Sequence, residues 1–314
     1  MKNILSLFDG IGVARLALDR AGIKVNQYVA SEIDKEAIKV VRHHYPDVIQ
    51  LGCVQTIDKL FFSRNLDLII GGSPCQGFSF SGKRLNFDDP RSALFFTFVK
   101  LLHHYKPKYF ILENVVMKQE WQDVITEHLQ AYDSNTTRTE ICSSLVSAQV
   151  RKRNYWTNFP ITQPEDKGIT LCHILEDVEW NHPAAVRGRR LNKATIIGRR
   201  LTERGTRSDY DKSVPITQCL EVRKTNTDKS NCITTCAKDN VLTPLEPGRY
   251  PDAFGKISGT PLPFRYYTIT ELHRLQTLPD QYCTVAGVSN SKAASLIGNA
   301  FTCSVIEHIL SHIK

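Results

Sequence analysis

Cys75 is the residue whose neighbours best prepare it for covalent chemistry. It sits in Gly71-Gly72-Ser73-Pro74-Cys75-Gln76-Gly77-Phe78-Ser79, directly after an apolar run. A cysteine inside an apolar strand is ordinarily a small inert hydrophobe. One that follows a proline at a strand end, in a loop of Gly and Ser, can be exposed and nucleophilic. A free thiol, with a pKa of about 8.5, is only a few per cent thiolate at neutral pH, so its surroundings must assist. The loop from Gln76 to Arg91 carries Ser79, Ser81, Lys83 and Arg84, a set that suits a lid gripping phosphates over a substrate. A carboxyl group, Glu113, ends another apolar run in Leu112-Glu113-Asn114-Val115. It is either a partner for a helix N-terminus or a group that holds the ring nitrogen and exocyclic amine of a base. In Gln149-Val150-Arg151-Lys152-Arg153, strand geometry puts Gln149, Arg151 and Arg153 on one face, where the two guanidiniums suit a polyanion.

A second constellation suits a nucleotide-like ligand. Phe8-Asp9-Gly10-Ile11-Gly12 lies between a predicted strand and a predicted helix, and glycines at such a turn let a ligand approach the backbone. Glu32, followed by Ile33, ends the next strand about twenty residues later, where a ribose-binding carboxylate belongs. A nicotinamide cofactor is one reading, but Arg15 occupies the place of the third glycine. Asp9 would also set a negative charge beside a pyrophosphate. S-adenosylmethionine has no phosphate and carries sulfonium and ammonium cations, so an acid there favours it.

These residues need a scaffold that brings strand ends together. Strands are expected at Asn3–Phe8, Gln27–Ser31, Val48–Leu51, Asp67–Ile70 and Tyr109–Leu112. Helices are expected at Val13–Ala21, stopped by Gly22, at Lys35–His44, stopped before Pro46, and at Ser92–His104, closed by Pro107. Alternating strand and helix implies an α/β fold, a doubly wound, mainly parallel, Rossmann-like sheet. Ligands collect at the carboxyl ends of such strands. Asp9, Glu32, Pro74-Cys75 and Glu113-Asn114 all fall just past a predicted strand end. From 159 to 265 the helical pattern fades, and short β-like pieces such as Ala194–Ile197 and Cys232–Thr235 appear. This region reads as a smaller, irregular, β-rich domain, with 1–158 and 266–314 forming the larger one. Helical signals return at Thr270–Gln276, Ser291–Ile297 and Phe301–Leu310.

The chain has 314 residues and a formal charge of +8. No apolar run approaches the ~20 residues that cross a bilayer, and Asp9 comes too early for a signal peptide. A cytoplasmic chain, or a nuclear one in a eukaryotic host, is expected, with no membrane partner. Nine cysteines are too sparse and odd in number for a disulfide scaffold. Cys232 and Cys236, with Cys172 and Cys219, lack a second close pair or a His partner at zinc spacing, so no metal is expected. Basic residues concentrate at Arg187, Arg189, Arg190, Lys193, Arg199, Arg200, Arg204 and Arg207 against the single acid Glu203, a net +7. That is either a solvated face or a nucleic-acid contact.

Taken in order, the FxGxG turn, the acidic strand end, the Pro-Cys loop, the ENV segment and the QxRxR segment resemble the DNA (cytosine-5) methyltransferase family. Gly298-Asn299-Ala300 resembles its closing segment and Tyr267–Asp280 the helix before it, so the likeness covers roughly 3–158 and 266–314. Gly71–Cys75, Leu94–Leu102 and Glu113–Val116 are similar to the animal de novo DNA methyltransferases. The resemblance implies an S-adenosylmethionine-dependent enzyme that flips a cytosine from duplex DNA and methylates carbon 5. Cys75 would add to carbon 6, Glu113 would bind the ring nitrogen and amine, and Arg153 the carbonyl oxygen, with Arg151 supporting the loop or a phosphate. Phe8 would stack on the adenine, Glu32 bind the ribose and Asn299 close the pocket, with Asp9, Gly10, Gly12, Ile33 and Pro74 completing the cofactor set.

Residues 159–265 would be the target-recognition region, in which Thr234-Thr235 resembles a short element touching the DNA backbone. Its DNA contacts, together with Gln76, Ser79, Ser81, Lys83 and Arg84 of the loop, would include Arg187, Arg189, Arg190, Arg199, Arg200 and Thr234. Two departures stand out. Gly52-Cys53 replaces the usual acid facing the adenine amine, Asp58 being displaced, and Phe301-Thr302 replaces a small-residue and proline run. One branch of the family methylates tRNA with the same groups; the large basic insert here favours duplex DNA. A non-catalytic DNA-binding relative would lack the Pro-Cys or ENV residues, and both are present. A compact chain with its own recognition region points to a prokaryotic or viral modification enzyme, functionally paired with a restriction enzyme.

Overall fold

The computed structural model describes residues 2–57, 66–73, 92–178, 191–202, 206–224 and 228–313. Its first half alternates β1 (Lys2–Leu7), α1 (Val13–Arg20), β2 (Val25–Ser31), α2 (Lys35–His44), β3 (Ile49–Gln50), β4 (Leu68–Gly72), α3 (Ser92–Tyr105) and β5 (Tyr109–Val115). Then come α4 (Gln119–Tyr132), β6 (Thr137–Cys142) and β7 (Lys152–Thr157). The strands form one seven-stranded sheet in the order β3-β2-β1-β4-β5-β7-β6. Pairing is parallel from β3 through β5 and antiparallel at β5–β7 and β7–β6. The order reverses between β1 and β4, so their carboxyl ends make the crevice where a ligand belongs.

Each parallel strand is apolar on both sides because both faces are covered, and the period of two sorts its side chains. Ile4, Tyr28, Ala30, Leu68, Ile70 and Ile111 pack with α1, α2 and the C-terminal helices. Their neighbours Leu5, Leu7, Val29, Ile69, Phe110 and Leu112 pack with α3 and α4. The expected doubly wound sheet is therefore present. Gly22, at φ +70°, and Pro46 end α1 and α2 as expected. Only Ile49–Gln50 of the expected strand at 48–51 pairs.

A second, five-stranded antiparallel sheet is built from β8 (Asn192–Arg200), β9 (Ile216–Val222), β10 (Val241–Thr243), β11 (Gly248–Tyr250) and β12 (Arg265–Tyr266), in the order β11-β9-β8-β10-β12. It has its own small core of Ala194, Ile196, Leu220, Val222, Val241 and Ala253. The chain then returns to the first sheet as α5 (Ile269–Leu275), α6 (Asn290–Asn299) and α7 (Cys303–Leu310). Asn290–Leu310 has the length and composition of a membrane span, but Ala300–Thr302 interrupt it and both helices bury most of their apolar side chains. Helix α7 starts two residues later than expected for that reason. The other departure is Cys232–Thr235, which joins neither sheet. Side chains satisfy its backbone instead: the Ile233 amide donates to Gln149 Oε1 and the Ile233 carbonyl accepts from Arg151.

Candidate active site

The turn after β1 is held in a backbone conformation that costs energy. Phe8, Gly10 and Gly12 have φ of 57°, 59° and 76°, and Phe8 is a non-glycine residue in the left-handed region, a strain that clusters at functional sites. Glu32, at the end of β2, ties the turn down: Oε2 accepts from the Gly10 amide at 2.8 Å and Oε1 from the amides of Ile33 and Asp34 at 2.7 and 2.9 Å. Asp9 is buried. Its Oδ1 accepts from the Tyr28 hydroxyl at 2.6 Å, while Oδ2 has no hydrogen-bond partner among the described residues. Burial raises the Asp9 pKa to about 6, the Ser6 and Tyr28 hydroxyls opposing the rise only in part and Glu32 adding to it. An orphaned carboxylate oxygen of this kind is a costly group unless a cation or donor meets it. The chemistry fits a cationic ligand and not a phosphate.

At the neighbouring strand ends the ENV segment positions the other half of the site. Asn114 is buried on β5 and its amide donates to Ser73 Oγ at 3.1 Å and to the Ser73 carbonyl at 3.4 Å. The carboxyl end of β4, and with it the root of the Pro-Cys loop, is thereby fixed to β5. Glu113 lies one residue earlier, and Arg153 Nε approaches its Oε1 at 3.1 Å, both side chains being mostly buried. Burial works against the Arg153 charge, but Glu113, Cys232 and Tyr155 together outweigh it and hold the arginine pKa above its usual value. Gly72 leaves room here, since a Cβ would meet Phe301 at 2.9 Å and Glu113 Oε2 at 3.0 Å.

These two halves line one cavity of about 460 Å³, bounded by Phe8, Asp9, Gly10 and Glu32 at one end and by Ser73, Glu113, Arg151 and Arg153 at the other, with Gly298, Asn299, Ala300 and Phe301 closing it. Of the expected cofactor residues, Ile33 stands beside this cavity and is 73% exposed, and Gly12 packs inward against Val41 and Tyr282. Arg15, in the place of the third fingerprint glycine, pairs with Asp19 and lies over the Tyr45 ring. Arg151, expected to support the loop or a phosphate, lines the cavity but is only 4% exposed, which leaves a phosphate little access to it. Its guanidinium instead donates to the carbonyls of Ile233, Gly298 and Ala300 at 3.2, 3.3 and 3.0 Å, joining the segment before β10 to the closing segment. Gln149 assists by donating to the Leu275 carbonyl and Gln276 Oε1.

Arg199 is engaged by Glu221 at 3.0 Å and Asp209 at 3.5 Å, and the Arg200 amide donates to Asp209. Thr234 is exposed, with its hydroxyl on Asp239 at 2.6 Å. Gly52-Cys53 follows the β3 strand, the Gly52 carbonyl accepting from Ser31. Pro74, Cys75, Gln76, Ser79, Ser81, Lys83, Arg84, Arg187, Arg189, Arg190 and Asp58 lie outside the described residues. Tyr28, Ser73 and Phe301 are site residues that the sequence reading did not select.

Comparison with known proteins identifies the scaffold. Orphan methyltransferase M.SPRI of Bacillus phage SPR is 42% identical over 115 residues, 36% of this chain and 26% of that protein. Type II methyltransferase M.NlaIV of Neisseria lactamica is 30% identical over 173 residues, 53% of this chain and 38% of that protein. The matched stretch thus spans about a quarter to two fifths of these relatives' length. In fold, the chain is similar to the Dnmt2 methyltransferase of S. pombe, with a TM-score of 0.66, 19% identity and coverage of 99% and 98% of the two chains. It is likewise similar to a putative DNA modification methyltransferase encoded within an E. coli prophage, with a TM-score of 0.64, 20% identity and coverage of 100% and 98%. The sequence pattern of the C-5 cytosine-specific DNA methylases matches residues 2–314, and the chain belongs to that family.

Proposed function

We propose that this chain methylates carbon 5 of cytosine in double-stranded DNA, with S-adenosylmethionine as the methyl donor and Cys75 as the nucleophile. The observation that carries this reading is the single cavity lined at one end by Asp9 and Glu32 and at the other by the Glu113–Arg153 pair. The first end suits a cationic nucleoside and the second a neutral base with a carbonyl and an amidine edge. When bound, S-adenosylmethionine supplies a methyl group made electrophilic by its sulfonium.

The residues divide the work around a cytosine extruded at an unstacking cost of a few kcal/mol. Cys75, as thiolate, adds to carbon 6. Glu113 hydrogen-bonds the ring nitrogen and amine and so offsets the charge that develops on the ring. Arg153 holds Glu113 in aim and faces the base's carbonyl oxygen. Asn114 keeps the root of the nucleophile loop beside Glu113, and the thiolate leaves when the carbon-5 proton is lost. The enzyme acts where its host's DNA lies, in a prokaryotic cytoplasm or a nucleus, as a modification methylase. The pairing with a restriction enzyme would be functional and not physical.

Duplex DNA containing 5-fluorocytosine tests this directly, because fluorine does not leave carbon 5 as a proton does. In the presence of the methyl donor the wild-type chain should form an adduct stable to denaturation, and peptide mass spectrometry should locate it at Cys75. Cys75→Ser should form none and lose turnover while binding S-adenosylmethionine nearly as well. Appreciable methylation by that variant, or a clear preference for tRNA over duplex DNA, would overturn the reading.

A further inference from the structure

We propose that Cys232 is a positioning residue of the reaction, its sulfur holding the Arg153 guanidinium on Glu113; the proposal rests on the methylation reading above. Cys232 belongs to the stretch just before β10 that joins neither sheet, and that stretch places its side chain against the arginine that pairs with Glu113. Its Sγ accepts from Arg153 Nη2 at 3.8 Å and from Arg151 Nη1 at 3.4 Å. The sulfur is fixed from both sides along the chain. Asn240 donates to the Cys232 carbonyl at 3.0 Å, and the next residue, Ile233, is held through its amide by Gln149 and through its carbonyl by Arg151.

Among the described residues, each nitrogen of the Arg153 fork has an acceptor. Nε faces Glu113 Oε1 at 3.1 Å, Nη1 donates to the Lys152 carbonyl at 2.8 Å, and Nη2 points at the sulfur. A guanidinium is planar and permanently charged, so three acceptors in different directions define its plane. Arg151 and Arg153 are alternate residues carrying like charges toward one site, and the polarisable sulfur lies where it accepts from both. A thiol is a weak acceptor, which suits a residue that must aim a donor without competing with Glu113 for it. Removing the sulfur takes from Nη2 its acceptor among the described residues and lets the plane rotate away from the carboxylate. Misplacement by about 1 Å at a catalytic group costs up to about a hundredfold in rate.

The test is a mutant cycle on the full chain with duplex DNA and S-adenosylmethionine. Cys232→Ala should lower kcat about tenfold to a hundredfold, with KM for DNA within about threefold and the melting temperature close to wild type. Cys232→Ser, which keeps an acceptor on the same carbon, should recover most of kcat. Arg153→Ala should lose more than Cys232→Ala, and the double variant should be no worse than Arg153→Ala alone, because Cys232 acts through that arginine. Losses that multiply in the double variant, an unchanged kcat in Cys232→Ala, or a Cys232→Ser as poor as Cys232→Ala would overturn the proposal. Should Cys232→Ala melt early, Cys232→Val, which fills the space without an acceptor, carries the same comparison alone and in the Arg153→Ala background. A wild-type chain inert on duplex DNA overturns the methylation reading and this proposal together; an active wild type with multiplying losses overturns this proposal alone.

Discussion

Asp9 shows how one buried carboxyl can be poor for the isolated fold and good for ligand binding. Burial pushes its pKa from 3.8 to about 6, and Tyr28 satisfies only one of its oxygens. The native carboxyl therefore keeps its proton to a higher pH than the unfolded one. Between about pH 4 and pH 6 the unfolded chain ionises first, so stability falls as pH rises through that window, by about 3 kcal/mol for this group. A cation against Oδ2 reverses the preference, since it binds the ionised form. The affinity for S-adenosylmethionine should accordingly weaken below about pH 6, by up to about tenfold per pH unit, and level off above pH 7. Calorimetric titration from pH 5 to pH 8 checks this. Asp9→Asn should flatten the profile and bind more weakly at pH 7.5, and a wild-type profile already flat would remove the cation from beside Asp9.

At the scale of elements, the carboxyl end of α6 is where the site cavity meets the segment before β10. A Cβ at Gly298 would lie 2.4 Å from the Thr234 carbonyl oxygen and 2.9 Å from the Thr235 amide. Both are backbone, so the segment before β10 would have to shift. Gly298→Ala should destabilise the chain by about 1–3 kcal/mol and loosen the Arg151 contacts on either side, lowering the melting temperature and the affinity for S-adenosylmethionine together. Unchanged melting would show that the segment yields freely. The sequence makes only part of this visible. Helix α2 has the expected bounds because an apolar stripe ends at Pro46, and β1, β2, β4 and β5 are legible because both of their faces are buried. Strand β6, at the edge of the sheet, carries mixed polar faces and offers no comparable period, whereas helix α4 buries Gln122, Ile125 and Leu129 at helical spacing, a signal that the sequence reading passed over. In the site, Asp9, Glu32, Glu113, Arg153 and Asn299 each follow from type and position at a strand or helix end. Tyr28 and Cys232 do not, because what makes them matter is the pairing of β1 with β2 and the path of a segment outside both sheets. Cys232–Thr235 looks strand-like in composition, yet its hydrogen bonds go to Gln149 and Arg151, side chains some eighty residues away.

For the whole molecule, the question is how the net charge of +8 divides between holding the chain together and meeting DNA. Part of the basic stretch between 187 and 207 is already paired with carboxylates. Arg199 spans Glu221 and Asp209, Arg207 also pairs with Asp209, and Arg249 reaches Glu221 from β11. These four contacts join three arginines to two carboxylates, offsetting two of three cations that composition alone would assign to a phosphate surface. The remaining contacts expected of Arg187, Arg189 and Arg190 are separable from them by salt. Each phosphate neutralised by a protein cation contributes about 0.9 to the slope of log affinity against log salt. Replacing Arg187, Arg189 and Arg190 together by alanine should reduce that slope by about 2 to 3 while leaving melting near wild type. Arg199→Ala should do the opposite, costing about 1 kcal/mol of stability and leaving the slope unchanged, because its charge is already met inside the second sheet. Fluorescence anisotropy with one duplex across a range of potassium chloride, alongside thermal unfolding, separates the two. If Arg199→Ala changes the slope and the triple variant does not, the DNA-facing side of the recognition region has been assigned to the wrong arginines.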